Sequence, residues 1–230
     1  DATINPELAS VFDYFGASAA IGPSGIMVGS PYLDTGGEQA GGVFAYIEQE
    51  EGWQSDTRPI APIRLARHVI AKPTWIGPEY RSFGESVAIS GDEALVGDPN
   101  GDGIGRVHLY TRASDGSAWI NQAAPGLEPP GGLPAGATFG HAIELDGDLA
   151  IIGAPNHNAI DQDGFAMLFH RSGGTWSNVA TLNGAYADER FGWSVDIKEN
   201  VGEAFIAIGA TRSGDDDDGQ VYIWRWDEST

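Results

Sequence analysis

The chain contains no cysteine. That excludes a disulfide framework and any thiolate metal site. Lysine is almost missing too: Lys72 and Lys198 are the two in 230 residues. Against 12 basic residues stand 33 acidic ones, a formal net charge of −21. Nucleic acid and anionic membrane surfaces are recognised by clustered Lys and Arg, so neither is an expected partner. No apolar run approaches the roughly 18 residues of a spanning helix, which argues against membrane insertion. No Asn-x-Ser/Thr sequon occurs, so N-linked glycosylation is not expected.

Catalytic spellings are also missing. There is no HExxH or His-x-His for zinc and no Gly-x-Ser-x-Gly elbow. The histidines, at 68, 108, 141, 157 and 170, are scattered. Paired carboxylates are too common in so acidic a chain to mark a glycosidase. The expectation is a protein that is not an enzyme. The chain opens at Asp1 without a visible signal peptide, as a mature terminus left by cleavage would, or an arbitrary boundary.

What is present is glycine, 33 residues of it, with 13 prolines and 41% hydrophobic residues. This composition suits a real core built from short strands and tight turns. The acidic, Lys-poor surface suits a secreted protein, a salty habitat or a divalent-cation binder.

The glycines are ordered. A Phe-Gly pair recurs four times: Phe15-Gly16, Phe83-Gly84, Phe139-Gly140 and Phe191-Gly192. Each precedes a Gly-x-Pro or its variant: Gly29-Ser30-Pro31, Gly97-Asp98-Pro99, Gly153-Ala154-Pro155 and Gly209-Ala210-Thr211. The Phe-to-Gly spacing is 14 in the first three copies and 18 in the fourth. Self-similarity at a period of roughly 50 residues signals an array or a propeller.

Within a copy the pattern predicts four strands. Ser86–Ile89 and Ala94–Gly97 flank a turn, as do His141–Leu145 and Leu149–Gly153. A third strand follows at Val43–Ile47, Arg106–Tyr110, Phe165–Phe169 and Val221–Trp224. A fourth carries Trp53, Trp119 or Trp176, and ends near Leu65 in the first copy and Leu182 in the third. Arg67–Ser82 and Pro125–Ala137 read as linkers. Trp75, Trp193 and Trp226 do not recur in the same way; an exposed ring of this kind suits stacking on a sugar.

The fold class is therefore all-β: a single propeller over 1–230, with four four-stranded antiparallel blades. The repeats cover approximately 15–66, 83–134, 139–183 and 191–230. The last has no sequence left for a fourth strand. Residues 1–14, with Thr3–Leu8 as the strand, are expected to complete it; otherwise they complete a neighbour's blade. Each Phe is expected to be a wedge between blades. Each Gly is expected where inner strands crowd together.

These repeats resemble the FG-GAP repeat of integrin α heads and bacterial surface proteins. The third copy is nearest to it: Phe139-Gly140-His141-Ala142-Ile143, Gly147-Asp148, Ile151-Ile152-Gly153-Ala154-Pro155, Gly164, Trp176 and Leu182. The resemblance implies an extracellular or cell-surface propeller used in recognition or adhesion. Its partners would be other protein subunits, including copies of itself, or glycans. Calcium-binding members carry an Asp-rich loop inside the first hairpin. Here those turns are short, Ile21–Gly25, Ser90–Glu93 and Asp146–Asp148, and the longer Lys198–Glu203 lacks the Asp series, so that calcium site does not carry over.

Calcium has another candidate place. Asp98-Pro99-Asn100-Gly101-Asp102-Gly103 spells the start of an EF-hand-like loop, with oxygens at alternate positions. Its ninth position is Arg106, and it follows the second strand. That loop is acidic in every copy: Asp34 and Glu38, Asp98 and Asp102, Asp161 and Asp163, and Asp215, Asp216, Asp217 and Asp218. In a meander these loops share one face. The reading is a negative rim that binds Ca²⁺ through Asp98, Asn100, Asp102, Asp161, Asp163 and Asp215 to Asp218, or that serves as a solvated acidic surface.

Overall fold

The computed structural model describes residues 12–33, 41–48, 65–71, 82–115, 118–122, 127–128, 133, 135–156, 163–213 and 218–227. They form four antiparallel sheets whose strand order follows the chain. Sheet 1 is β1 (Ser18–Gly22), β2 (Gly25–Ser30), β3 (Gly42–Glu48) and β4 (Leu65–Ala71). Sheet 2 is β5 (Val87–Ser90), β6 (Glu93–Asp98), β7 (Arg106–Arg112) and β8 (Trp119–Asn121). Sheet 3 is β9 (Ala142–Asp146), β10 (Leu149–Ala154), β11 (Phe165–Ser172) and β12 (Thr175–Asn183). Sheet 4 is β13 (Phe191–Asn200), β14 (Glu203–Ala210) and β15 (Gln220–Asp227).

The first hairpin of every sheet closes through two residues. Gly91, Gly147 and Gly202 supply the positive φ that such a turn demands. The fourth turn, expected to be longer, is equally tight. The four extra residues lengthen β13 and β14 by two each, so pairing runs out to Asn200 opposite Glu203.

The first copy departs from expectation as well. Its fourth strand starts at Leu65, where it was expected to end, and takes up part of the supposed linker from Arg67. Pairing with β3 sets this: Gly42 lies opposite Ala71 and Glu48 opposite Leu65. Trp53 lies outside the described residues. In the other two copies the Trp stands on the fourth strand as expected. Trp119 is buried, and Arg171 covers the Trp176 ring at 5.4 Å. Sheet 4 has three strands among the described residues; Thr3–Leu8, expected to add the fourth, lies outside them.

The sheets stack face to face through repeated apolar layers. Met27, Val43 and Ala45 of sheet 1 meet Phe83, Val87 and Ile89 of sheet 2. Leu95 and Val107 then meet Phe139 and Ile143, and Ile151 and Leu168 meet Phe191 and Ile197. Phe83, Phe139 and Phe191 are fully buried, as wedges between sheets should be. Phe15, in the first copy, packs edge-on to Phe44 of its own sheet at 5.1 Å.

Glycine sets the spacing of the stack. A Cβ on Gly29, Gly97 or Gly153 would lie 2.0, 2.2 or 2.1 Å from the carbonyl oxygen of Gly84, Gly140 or Gly192 in the next sheet. Lack of a side chain, not backbone freedom, is what these positions require. Ser18 Oγ donates to Gly84 O at 2.9 Å and Ser86 Oγ to Gly140 O at 2.7 Å, clasping the same carbonyls. One residue before the third strand, Gly41, Gly105 and Gly164 form parallel bridges to Phe83, Phe139 and Phe191.

At the opposite end, polar groups link one hairpin turn to the next. Ser24 Oγ donates to Gly91 O and Asp92 Oδ1, and Gly147 N–H to Ser90 Oγ. Lys198 Nζ reaches Asp146 Oδ2 at 2.7 Å, and Arg171 spans Glu93 and Asp148. First strands lie side by side as β1, β5, β9 and β13. Among the described residues no comparable packing joins β13 to β1. The arrangement is consistent with blades around a common inner edge.

Two substitutions test this packing by urea unfolding. Phe139→Ala should cost about 3–5 kcal/mol, the usual loss for a buried aromatic. Gly97→Ala, whose φ is ordinary, should cost about 1–3 kcal/mol through steric clash alone. Near-neutral values would refute the wedge and the glycine notch respectively.

Candidate functional site

Loops after the second strands and the starts of the first strands share one end of the stack. The residue following Phe-Gly stands there just before the first strand, as Ala17, Glu85 and His141, or near its start, as Trp193 in β13. Chain direction and the Phe-Gly anchor fix these side chains in a row. Gly84 N–H donates to Gly97 O at 2.8 Å and Gly140 N–H to Gly153 O at 3.1 Å, holding the strand starts rigidly.

The row carries chemistry. The His141 ring lies 4.7 Å from that of Trp193, tilted by 54°. The Arg190 guanidinium sits 5.5 Å from the same indole. Trp193 remains 38% exposed. Burial pushes the Glu85 carboxyl above its ordinary range and the His141 imidazole below its own. His141, Trp193 and Arg190 therefore bring an exposed aromatic surface together with an imidazole and a guanidinium, and Glu85 holds the matching place after Phe-Gly one sheet away.

The loop that carries Arg190 is braced by a buried carboxylate. Glu189 accepts a 2.8 Å hydrogen bond from the Tyr222 hydroxyl, and its backbone oxygen accepts from Arg212 N–H. Asp163 Oδ1 accepts from Asp188 N–H at 3.0 Å, and Asp163 O from Phe191 N–H. These bonds join the loop before β13 to the loops after β10 and β14.

The candidate calcium ligands have separate positions. Asp98 is 1% exposed; its Oδ1 accepts from Ser82 Oγ at 2.8 Å, and its Oδ2 faces His108 Nε2 at 3.8 Å. Asn100 N–H donates to Ser82 Oγ, so this carboxylate pins the loop from beneath. Asp102 pairs with Arg106 instead. Asp163 serves as described, and Asp218 is exposed. Asp161, Asp215, Asp216 and Asp217 lie outside the described residues, as do Asp34 and Glu38. Among the described residues no group of three or more acidic or histidine side chains is placed to hold a metal ion. The EF-hand-like spelling at 98–103 makes a buried clasp and a surface ion pair in this structure.

Ser82, Asp98 and His108 bring together the three residue types of a hydrolytic triad in the wrong order. Serine donates to the carboxylate, not to the imidazole, and is fully buried. A nucleophile needs the base as its immediate partner and access to substrate.

In sequence His141 is one of five scattered histidines and Trp193 a non-recurring indole. Spacing alone joins neither to the other nor to Arg190; the signal shared by Glu85, His141 and Trp193 is their position directly after Phe-Gly.

The two buried groups set opposite pH slopes. Glu85, raised in the folded state, favours folding as pH falls through its folded pKa and loses that contribution as pH rises. His141, lowered, costs stability as pH falls below the ordinary imidazole range. Comparing urea midpoints from pH 7 to pH 4, Glu85→Gln should remove the first trend and His141→Gln the second. Unchanged profiles would show that neither group is buried as described.

No helix among the described residues is long and apolar enough to cross a membrane. No protein-family model matches the chain. Among curated proteins it is similar to integrin alpha-6 of Homo sapiens, 29% identical over 147 residues. The match covers 62% of this chain and 12% of that protein. This similarity is consistent with the resemblance carried by the four Phe-Gly repeats.

Proposed function

We propose that the chain is an adhesion-type recognition module of the cell exterior, built as an FG-GAP-like β-propeller and without enzymatic activity. It binds a protein partner through its loop-rich end, at the cluster of His141, Trp193 and Arg190, with Glu85 in the same row. The observation that carries this reading is the His141–Trp193–Arg190 cluster, with contacts at 4.7 and 5.5 Å and an indole still open to solvent. The integrin similarity supports the adhesion class. A net charge of −21 favours a basic partner, drawn in by long-range attraction. The acidic loops supply this field without a metal, although a cation bound by residues outside the described set accords with the same reading.

A second reading is a lectin-like module. The exposed indole of Trp193 favours it, because a sugar ring stacks well on such a surface.

The test is binding of the full chain to an array of extracellular-matrix proteins and glycans. The account expects saturable binding to a basic protein, weakened about tenfold or more by Trp193→Ala, as for a central aromatic anchor. It should weaken further with salt. Binding that free sugar competes away would select the lectin. Binding indifferent to Trp193 and His141 would overturn the site.

A further inference from the structure

Among the described residues, sheets 1 and 4 carry complementary, uncovered halves of the interface that the chain builds three times internally. The open face of sheet 4 repeats the docking face of the other sheets. Val221 stands where Val43, Val107 and Ala166 stand, each opposite the notch glycine of its sheet. Those three are buried, whereas Val221 is 69% exposed. Ile223 matches buried Ala45 and Leu168 yet is 65% exposed. The notch itself is present. A Cβ on Gly209 would meet only its own sheet's Ser194, where Gly29, Gly97 and Gly153 each meet the next Phe-Gly. Ser194 lies opposite Gly209 as Ser18 lies opposite Gly29, where the clasping hydroxyl is found.

Sheet 1 offers the other half. Ile21 occupies the position of Ile89, Leu145 and Ile197, each paired with the residue three before the notch glycine of its sheet. Those three are buried and Ile21 is 78% exposed. Gly16 has nothing within 4 Å of a built Cβ, whereas Gly84, Gly140 and Gly192 each abut the preceding sheet.

We propose that sheet 4 of one copy docks on sheet 1 of a second copy, head to tail, with Phe15-Gly16 seated in the Gly209 notch. The occupant follows from continuity: the new contact is the internal sheet-to-sheet contact made once more, between chains. This is a heterologous interface, which propagates into a ring or a filament. It uses a sheet face and is distinct from strand exchange at the edge of β15. It also stands apart from the loop-end cluster, so either proposal can fail alone.

The experiment uses three full-length proteins in light scattering over a range of concentrations. The native chain should rise above 24.2 kDa as concentration increases. Ile223→Asp blocks the tail and Ile21→Asp blocks the head. Both residues are exposed in the single chain, so each variant should keep the native circular dichroism and melting temperature. Each alone should stay at 24.2 kDa. Mixed, they should form a one-to-one dimer, because each retains one intact half. A native chain that stays monomeric at all concentrations overturns the proposal, as intrachain closure would produce that result. Variants that associate like the native chain, or that fail to pair on mixing, overturn it equally.

Discussion

Everything in this molecule depends on one close approach. A glycine on the second strand of each of the first three sheets lies against the carbonyl of the next sheet's Phe-Gly, nearer than any side chain permits. The phenylalanine of the same pair then falls into the apolar layer between the sheets. Backbone contact and core wedge are thus set by two adjacent residues. A serine hydroxyl in the first two sheets completes the clasp. Because the unit is repeated, the stack is ordered by a nearest-neighbour rule, and each sheet needs its neighbours to bury both faces.

The same rule places function. Residues directly after Phe-Gly stand just before or near the start of the innermost strands at the loop-rich end. They are fixed by the most constrained part of the fold, yet they differ from copy to copy: Ala17, Glu85, His141 and Trp193. A rigid frame with variable side chains at one register is a physical basis for recognition. The turns at the other end do the opposite work. Ser24, Ser90, Asp146 and Lys198 tie neighbouring hairpins together.

Much of this was legible in the sequence. The Phe-Gly and Gly-x-Pro spacing gave the hairpins, the wedges and the crowded glycines, since these follow from strand period and from the size of a side chain. The fourth copy's longer spacing was misplaced to its turn; length alone does not tell a longer strand pair from a longer loop. The strand at Leu65–Ala71 was misplaced because its position follows from pairing with β3, not from a local signal. The acidic loop at 98–103 spelled a cation site. In space Asp98 turns inward to Ser82, while Asp102 turns to Arg106. One-dimensional spacing does not encode that divergence. The pairing of His141 with Trp193 went unread for the same reason, as the two lie about 50 residues apart and meet only through the stack.

The most direct test of the keyed stack is amide hydrogen exchange, followed residue by residue in the native state. The Gly84 and Gly140 N–H groups, bonded to Gly97 O and Gly153 O beneath the sheet contacts, should be among the slowest to exchange. The turn amides at Gly91 and Val201 should exchange fast. If Gly84 and Gly140 exchange as quickly as those turns, the Phe-Gly pairs do not lock the sheets together, and the account fails at its foundation.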